Sequence, residues 1–315
     1  MFSACLKSAL LASACLAVST FAEPRVLRVA ADPNNLPFSN DRGEGFENKL
    51  AEMVARDLGA RLGYMWWPQR RGFFRETLGA GRADVVMGVP ADFDRVLTTR
   101  PYYRSTYVFV QPFTDQPVHS FDDARLPRMK IGIQLAGDDG ANPPPAKALV
   151  DRGLIDNIRG YTLYGDYNEI APPSAIIHAV AKGDVDVAVA WGPMAGYFSA
   201  RQPQPLLVEP VDECHCPGLP MIFAIAVGVR PTEPALREEI DAILERRRDD
   251  IAKLLAEYRV PLAEEPRTER PAGRSLLAGD SKQPWSAGVP NRLQAGSYQK
   301  TEGIDRHEEV PRAVH

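Results

Sequence analysis

The sequence lacks a surplus of basic residues, and it has little long apolar sequence outside its N-terminus. Its 37 lysines and arginines face 41 aspartates and glutamates, for a formal net charge of −4. A chain without a basic field attracts the phosphate backbone of a nucleic acid only weakly, so we do not expect nucleic acid as a partner. Beyond the N-terminus no stretch approaches the ~20 apolar residues of a membrane-spanning helix, and we expect no membrane span.

Sequence signatures of catalysis are also missing. The chain holds no GxSxG nucleophile motif, no cysteine–histidine pairing with an orienting acid and no phosphate-binding loop. Its histidines are scattered without the spacing of a metal site or a catalytic pair. The sequence therefore offers no motif of a known catalytic mechanism, and we expect no cofactor.

Cysteine is scarce. Cys5 and Cys15 lie in the N-terminal apolar region, and the other two, Cys214 and Cys216, flank His215. A structural metal site draws four ligands from separated pairs, and no second pair accompanies this one. The pattern favours a disulfide or two inert thiols, with a metal site as the weaker alternative.

The two ends of the chain differ from its middle. Residues 1–22 carry Lys7, an apolar run and then small residues before a cleavage point, which is the pattern of a secretory signal peptide. A lipoprotein cut before Cys15 is a weaker alternative. Residues 263–315 have few large aliphatic residues, balanced charges and frequent Pro, Gly and Ser. They predict a disordered tail, because too little apolar surface is available for burial.

Between these ends, strand patterns alternate with helical periods. Such β-α-β order predicts parallel sheets with helices on their faces. The predicted strands are 26–31, 62–67, 83–89, 104–110, 129–133, 158–163, 185–190, 206–209 and 221–229, and the predicted helices are 45–59, 73–79, 146–152, 174–181 and a single long helix over 236–255.

The order predicts an α/β protein of two lobes. Lobe 1 is discontinuous, with residues 23–111 plus 206–262, and lobe 2 holds residues 112–205. Two such lobes, each a mainly parallel sheet flanked by helices, resemble the type II periplasmic binding proteins of solute-binding family 3. That resemblance implies a ligand cleft between the lobes.

Part of the amino-acid site of that fold has a counterpart here. Residues 88–95, followed by Arg100-Pro101-Tyr102-Tyr103, resemble the segment in which amino-acid binders place a carboxylate-clamping arginine, and the match puts Arg95 at the clamp. The turn at 132–137 resembles their anion-cradling turn. Trp191 stands where those binders have an aspartate that grips the ligand's ammonium, so the amino-acid site is incomplete.

A narrower resemblance covers residues 25–261. The chain is similar to the MxaJ/XoxJ type, which are periplasmic solute-binding-like proteins associated with PQQ-dependent methanol dehydrogenases. The matching segments are 31–40, 45–48, 66–73, 98–107, 132–135, 137–140, 164–167 and 191–198. The resemblance implies a periplasmic location.

Some of these segments have a physical rationale of their own. The loop from Asp32 to Phe38 follows the first strand, and ligands of open α/β sheets bind beyond the carboxyl ends of strands; a structural turn is the alternative. Residues 66–71 place two indoles beside two guanidiniums, which suits stacking or a protein contact; the alternative is one core tryptophan with solvated arginines. Trp191 either caps the cleft or packs in the core.

Together these motifs predict a cleft for a ligand or partner. Its predicted residues are Asp32, Asn34, Asn35, Phe38, Trp66, Trp67, Arg70, Arg71, Arg95, Tyr102, Gln134, Asp138, Asp166, Tyr167 and Trp191. Asp138 and Asp166 lack the spacing of a calcium loop, which favours solvated turn carboxylates.

The resemblance implies a non-enzymatic accessory of a PQQ-dependent methanol dehydrogenase, which binds a segment of the enzyme or a related ligand in the cleft to aid its assembly or activation. The dehydrogenase is the expected partner, and its cytochrome c is a further candidate. One alternative is an ABC-transporter solute receptor for a small carboxylate or a methanol-pathway metabolite. A second alternative is a periplasmic enzyme on the same fold.

Overall fold

The computed structural model describes residues 25–70, 72–135, 143–162, 171–212 and 218–264. The strands are β1 (Val26–Ala31), β2 (Asn34–Asn35), β3 (Ser39–Asn40), β4 (Arg61–Trp66), β5 (Val85–Pro90), β6 (Leu97–Thr98), β7 (Tyr103–Pro112), β8 (Ile131–Leu135), β9 (Ile158–Thr162), β10 (Val187–Trp191), β11 (Leu206–Pro210) and β12 (Ile222–Val229). The α-helices are α1 (Phe46–Asp57), α2 (Pro144–Val150), α3 (Ala175–Lys182), α4 (Gly192–Ser199), α5 (Pro234–Arg246) and α6 (Arg248–Glu257).

The main sheet follows the order β4-β1-β5-β12-β7-β10-β8-β9. Each half of this path contains three parallel strands: β1 lies between β4 and β5, and β8 lies between β10 and β9. Strands β7 and β12 join the two sets through antiparallel pairs. The predicted α/β architecture with helices beside parallel strands is confirmed.

Strand β7 belongs to both halves of the sheet. Its residues Tyr103–Thr106 pair with β12, and its residues Tyr107–Val110 pair with β10. Because β10 is antiparallel to β7, its carboxyl end returns to the middle of β7, where Trp191 lies opposite Tyr107. The carboxyl ends of the two parallel sets therefore point toward each other at this crossing, which we call the junction.

The lobe boundaries stay a prediction. In the second half of the path, β11 pairs with Val108–Pro112 of β7. This pairing shows which strand residues 206–210 contact, but it does not establish where one lobe ends and the other begins.

The single helix predicted over residues 236–255 is wrong. The chain forms two helices, α5 and α6, that meet at Arg247, whose φ of −97° and ψ of 10° leave the helical region. The Arg247 guanidinium donates from Nε and Nη2 to the two carboxylate oxygens of Asp57, at 2.9 and 2.8 Å. A bidentate ion pair with the end of α1 thus occupies the break, although the apolar spacing continues through it.

Other predicted elements are present, with local differences. The helix predicted over residues 45–59 is α1, and Gly59 follows it with φ +62°, as a helix stop requires. The helical turn predicted over residues 73–79 contains a five-residue π-helix at Arg75–Gly79. Helix α2 begins two residues before the predicted start at Ala146.

Helix α4 packs directly against the segment that follows α6. A Cβ atom on Gly192 would lie 2.6 Å from the carbonyl oxygen of Thr106, and one on Gly196 would overlap the carbonyl oxygen of Arg259. Tyr197 of α4 stacks on Tyr258 with ring centroids 5.6 Å apart. The two glycines therefore allow the backbone of α4 to come close to β7 and to the segment after α6.

We expect Gly196→Ala to lower the unfolding temperature by roughly 3–10 °C, because the added methyl must displace backbone rather than a flexible side chain. Thermal unfolding followed by circular dichroism measures this shift. Gly63→Ala is the matched control, since its Cβ would meet only Val26 at an ordinary 3.6 Å. Equal unfolding temperatures for the two variants would show that the approach of α4 is not tight.

An ion-pair cluster ties β1 and the turn before β5 to the end of β12. Asp84 accepts hydrogen bonds from Arg28 Nη2 at 2.7 Å and from Arg230 Nη2 at 2.9 Å. Burial by itself raises the pKa of Asp84, but the hydrogen bonds from Arg28 and the charges of both arginines outweigh burial and lower that pKa below its usual value.

A lowered native pKa stabilises the fold at pH values above the unfolded-state pKa of about 3.9, and this stability is lost as pH falls through the native value. We therefore expect Asp84→Asn to lower the unfolding temperature at pH 7 and the difference from the wild type to narrow between about pH 5 and pH 3. A pH series of thermal melts measures it. A difference that does not change with pH would contradict the assignment.

Candidate functional site

Asp32 connects the loop after β1 with the loop after β4. Its side chain is only 2% exposed. Oδ1 accepts from the backbone N–H of Asn34 at 2.8 Å, and Oδ2 accepts from the backbone N–H of Gln69 at 2.6 Å. The carboxylate thus satisfies backbone donors of both loops and holds them in register at the carboxyl ends of their strands.

The neighbouring polar residues complete this connection. The Asn35 side-chain amide donates to Gln69 Oε1 at 3.0 Å, and Gln69 is buried. Phe38 is buried as well, and its ring meets that of Phe46 edge to face at 5.4 Å. Phe38 therefore fixes the loop on the start of α1 and packs in the core.

Asn34 forms a contact between the two predicted lobes. Its Oδ1 accepts a hydrogen bond of 3.2 Å from the backbone N–H of Ala171, which precedes the short 3₁₀ turn at Pro172–Ser174. Ala171 has φ 52°, in the left-handed region that a non-glycine residue adopts at a cost. The contact brings the loop after β1 against the chain that leads into α3.

The tryptophan–arginine segment is only partly buried. Trp66 stacks on Tyr64 with centroids 4.4 Å apart and a 16° angle between the rings. Trp67 is half-buried and packs against the cluster that contains Phe73 and Phe74. Arg70 is exposed. Its backbone N–H donates to the carbonyl of Pro68 at 2.7 Å, which forms a tight turn.

The predicted clamp arginine and its accompanying tyrosine lie near the end of β5. Arg95 is exposed, in the connection between β5 and β6. Tyr102 is half-buried and donates its hydroxyl to the carbonyl of Met87 at 2.8 Å. Arg95 is therefore reachable from solvent, and Tyr102 braces β5.

Gln134 and Trp191 meet at the carboxyl ends of β8 and β10. Gln134 Oε1 accepts from the backbone N–H of Trp191 at 3.1 Å, and both residues are buried. The Trp191 ring packs edge to face on Tyr107 at 5.3 Å and on Phe223 at 5.9 Å. Trp191 thus packs in an aromatic cluster where an ammonium-gripping aspartate stands in the resembling binders.

Burial raises the pKa of the Tyr107 phenol well above its usual range.

Among the residues described, no group of three histidine, cysteine, aspartate or glutamate side chains is arranged to hold a metal ion. Within the same residues, no helix has the length and apolar character to cross a bilayer.

Several predictions concern residues outside the described ranges. They are the signal peptide 1–22, most of the tail 263–315, and the residues Arg71, Asp138, Asp166, Tyr167, Cys214, His215 and Cys216. These assignments stay predictions, as do the cleft roles of the residues located above.

Residues that were not singled out from the sequence also lie at the junction. Arg104 of β7 pairs with Ala224 of β12, and the Ala224 carbonyl accepts from the N–H of Ala91 just beyond β5. Phe223 and Tyr107 complete the aromatic cluster around Trp191. The sequence signal for Arg104 is that it carries the single charge of strand β7.

We expect Asn34→Ala to speed hydrogen exchange at the Ala171 amide by about 5- to 10-fold, because that amide loses its acceptor. Hydrogen–deuterium exchange with mass spectrometry measures it. Asn35→Ala is the matched control, since it removes an amide of the same size whose partner is Gln69. Unchanged exchange in Asn34→Ala would show that this contact does not hold the two segments together.

Comparisons with known proteins agree with this architecture. No protein-family model matches the chain. The protein MoxJ of Methylorubrum extorquens strain AM1 is 33% identical over 250 residues, which cover 75% of this chain and 81% of that protein. The protein MoxJ of Paracoccus denitrificans is 29% identical over 269 residues, covering 80% and 94%.

Solved structures give the same result. The crystal structure of the periplasmic binding protein XoxJ from Methylobacterium extorquens AM1 matches with a TM-score of 0.62 and 34% identity, over 76% of this chain and all of that one. MxaJ from Methylophaga aminisulfidivorans MPT matches with a TM-score of 0.63 and 25% identity, over 75% and 100%. An ancestral cationic amino acid solute-binding protein, 21% identical over 74% of this chain and 95% of its own with a TM-score of 0.57, shares the fold. These comparisons confirm the predicted periplasmic-binding-protein fold, and the chain belongs to the MoxJ/MxaJ/XoxJ family.

Proposed function

We propose that this protein is a non-enzymatic periplasmic accessory of a PQQ-dependent methanol dehydrogenase system. In this role it binds a segment of the dehydrogenase, or a related ligand, between its lobes and aids assembly or activation of the enzyme. The observation that carries the proposal is membership of the MoxJ/MxaJ/XoxJ family at 33% identity over most of the chain. The fold is one in which a cleft receives a ligand, and such folds are reused for protein contacts.

The junction supports this role over that of an amino-acid receptor. Trp191 is 9% exposed and lies in an aromatic cluster, at the position where the resembling amino-acid binders place an aspartate. The indole of Trp191 is uncharged, so it cannot form the ion pair that an aspartate forms with the ligand's ammonium group. Within the described residues, the position that grips the ammonium group in the resembling binders therefore carries no charge in this chain.

The segment from Trp66 to Arg70 supports a protein contact. It presents half-buried indoles and an exposed guanidinium within five residues, and tryptophan and arginine are the residues that most often dominate the energy of protein interfaces. The loop is fixed in place, because the Gln69 N–H donates to the buried Asp32 carboxylate. A held loop loses little conformational entropy when a partner binds it.

The test is a pull-down from a native methanol-oxidising periplasm, with residues 23–315 as bait and mass spectrometry as the readout. We expect enrichment of the PQQ-dependent dehydrogenase, together with its cytochrome c, and a loss of at least about tenfold with Arg70→Glu, because charge reversal opposes a complementary acidic surface. The double variant Trp67→Ala/Arg70→Ala should behave similarly.

Arg82→Glu is the matched control, since Arg82 is an exposed arginine of the same half of the sheet in the turn before β5. Equal loss with Arg70→Glu and Arg82→Glu would show a general charge effect. No enrichment of a dehydrogenase would contradict the accessory role as a stable interaction.

A solute receptor is the second candidate function. The exposed Arg95 favours it, since a guanidinium in the β5–β6 connection matches the clamp of carboxylate-binding relatives of this fold. A receptor of this kind would bind a small carboxylate with high affinity and capture no dehydrogenase, so the same pull-down separates the two functions.

A further inference from the structure

Arg104 lies in a row of residues that crosses the first half of the sheet at the junction. The row runs from Ala91, just past β5, through Ala224 of β12 to Arg104 of β7. All three residues are half-buried, so solvent reaches this row.

The Arg104 guanidinium contains a buried donor without a partner. Its Nε is shielded from solvent and makes no hydrogen bond in the part of the chain that the structure describes. Other half-buried arginines are held by carboxylates; Arg28 binds Asp84, and Arg247 binds Asp57. A buried, unsatisfied donor on a charged group destabilises a fold unless another group satisfies it.

Gln134 supplies a second such donor on the other side of the junction. Its Oε1 accepts from the Trp191 N–H, while its Nε2 is buried and has no partner among the described residues. Trp191 lies opposite Tyr107, which is three residues beyond Arg104 on β7, or about 10 Å along the strand. One unsatisfied donor therefore stands on each side of the crossing.

The buried carboxylate of Asp32, in the loop after β1, already has hydrogen-bond partners. Asp32 binds the backbone N–H groups of Asn34 and Gln69, so its oxygens serve the loops. The atoms of Arg104 and Gln134 that have no partner among the described residues, Nε and Nε2, are both hydrogen-bond donors. Their complement is a group with acceptor oxygens and negative charge, and a guanidinium that offers Nε and an Nη together fits the two oxygens of a carboxylate.

We propose that Arg104, assisted by Gln134 Nε2, binds the carboxylate of the ligand that enters the junction, and that this site does not require an ammonium group. The proposal rests on the proposed function only in placing the ligand between the lobes. It assigns recognition to Arg104, which the sequence resemblance did not single out, and not to the exposed Arg95. The carboxylate belongs either to a small organic acid or to an acidic side chain or C-terminus of a partner protein.

The test uses benzoate and benzamide, which match in shape and differ in charge. Titration calorimetry on the full mature chain should show that benzoate binds and benzamide does not. We expect Arg104→Met to weaken benzoate binding by about 10- to 100-fold, as loss of a charged hydrogen bond predicts. Arg82→Met is the matched control and should bind benzoate like the wild type.

Two further variants keep the test decisive. Gln134→Glu keeps an acceptor oxygen for the Trp191 N–H and replaces the free donor by a second oxygen, so it should also weaken benzoate binding. Arg104→Lys keeps the charge without Nε and serves if Arg104→Met does not fold; it should weaken benzoate binding at least about fivefold. Thermal melts of each variant verify folding.

Three results would overturn the proposal. The first is that the wild type does not bind benzoate at up to about 50 mM, a concentration at which even weak ion pairing with a desolvated guanidinium is measurable. The second is that benzamide binds as well as benzoate. The third is that Arg95→Met loses benzoate binding while Arg104→Met keeps it in full. The last result would assign the carboxylate to Arg95.

A pull-down with the Arg104→Met variant as bait distinguishes a carboxylate of the partner protein from that of a small organic acid. Loss of both benzoate binding and dehydrogenase capture identifies a carboxylate of the partner protein. Loss of benzoate binding with capture retained identifies a small organic acid. Because calorimetry needs no partner, the carboxylate site stands or falls separately from the accessory role.

Discussion

The antiparallel pairing of β7 with both β12 and β10 is the constraint on which the rest of the structure depends. One strand of ten residues carries hydrogen bonds to both halves of the sheet and changes partner between Thr106 and Tyr107. A shift of one residue would turn every side chain of β7 to the opposite face. The register of this strand therefore decides which residues meet at the junction, Arg104 and Trp191 among them.

The packing around β7 limits how the two halves are arranged. The segment after α6 lies along β7, where the Ala263 N–H donates to the carbonyl of Arg104 and Ser105 Oγ donates to the carbonyl of Pro261. Helix α4 approaches the same segment through Gly196. The chain thus holds its halves together at β7, at α4 and at the contact of Asn34 with Ala171.

The chemistry of the junction follows from which polar groups are satisfied. Asp32 is buried and accepts hydrogen bonds from the backbone N–H groups of Asn34 and Gln69, so it connects two loops. Trp191 fills a position with an indole where a charge would bind an ammonium group. Among the described residues of the junction, Arg104 Nε and Gln134 Nε2 are buried donors without a partner, and such donors are complementary to an anionic group.

The sequence by itself determined the α/β class, the longer strands and helix α1, because alternating and helical apolar periods depend only on neighbours along the chain. The family followed from the resemblance of short motifs such as residues 66–73 and 191–198. The sequence placed Asp32 just after the first strand and Trp191 at the end of β10, whereas Gln134, predicted in a turn, lies within strand β8. Only the tertiary structure decided that Arg247 divides the last helix by pairing with Asp57, that Phe38 packs in the core, and that Arg104 Nε is buried without a hydrogen-bond partner among the described residues. Each of these depends on partners from distant parts of the chain, and local periodicity carries no information about such partners.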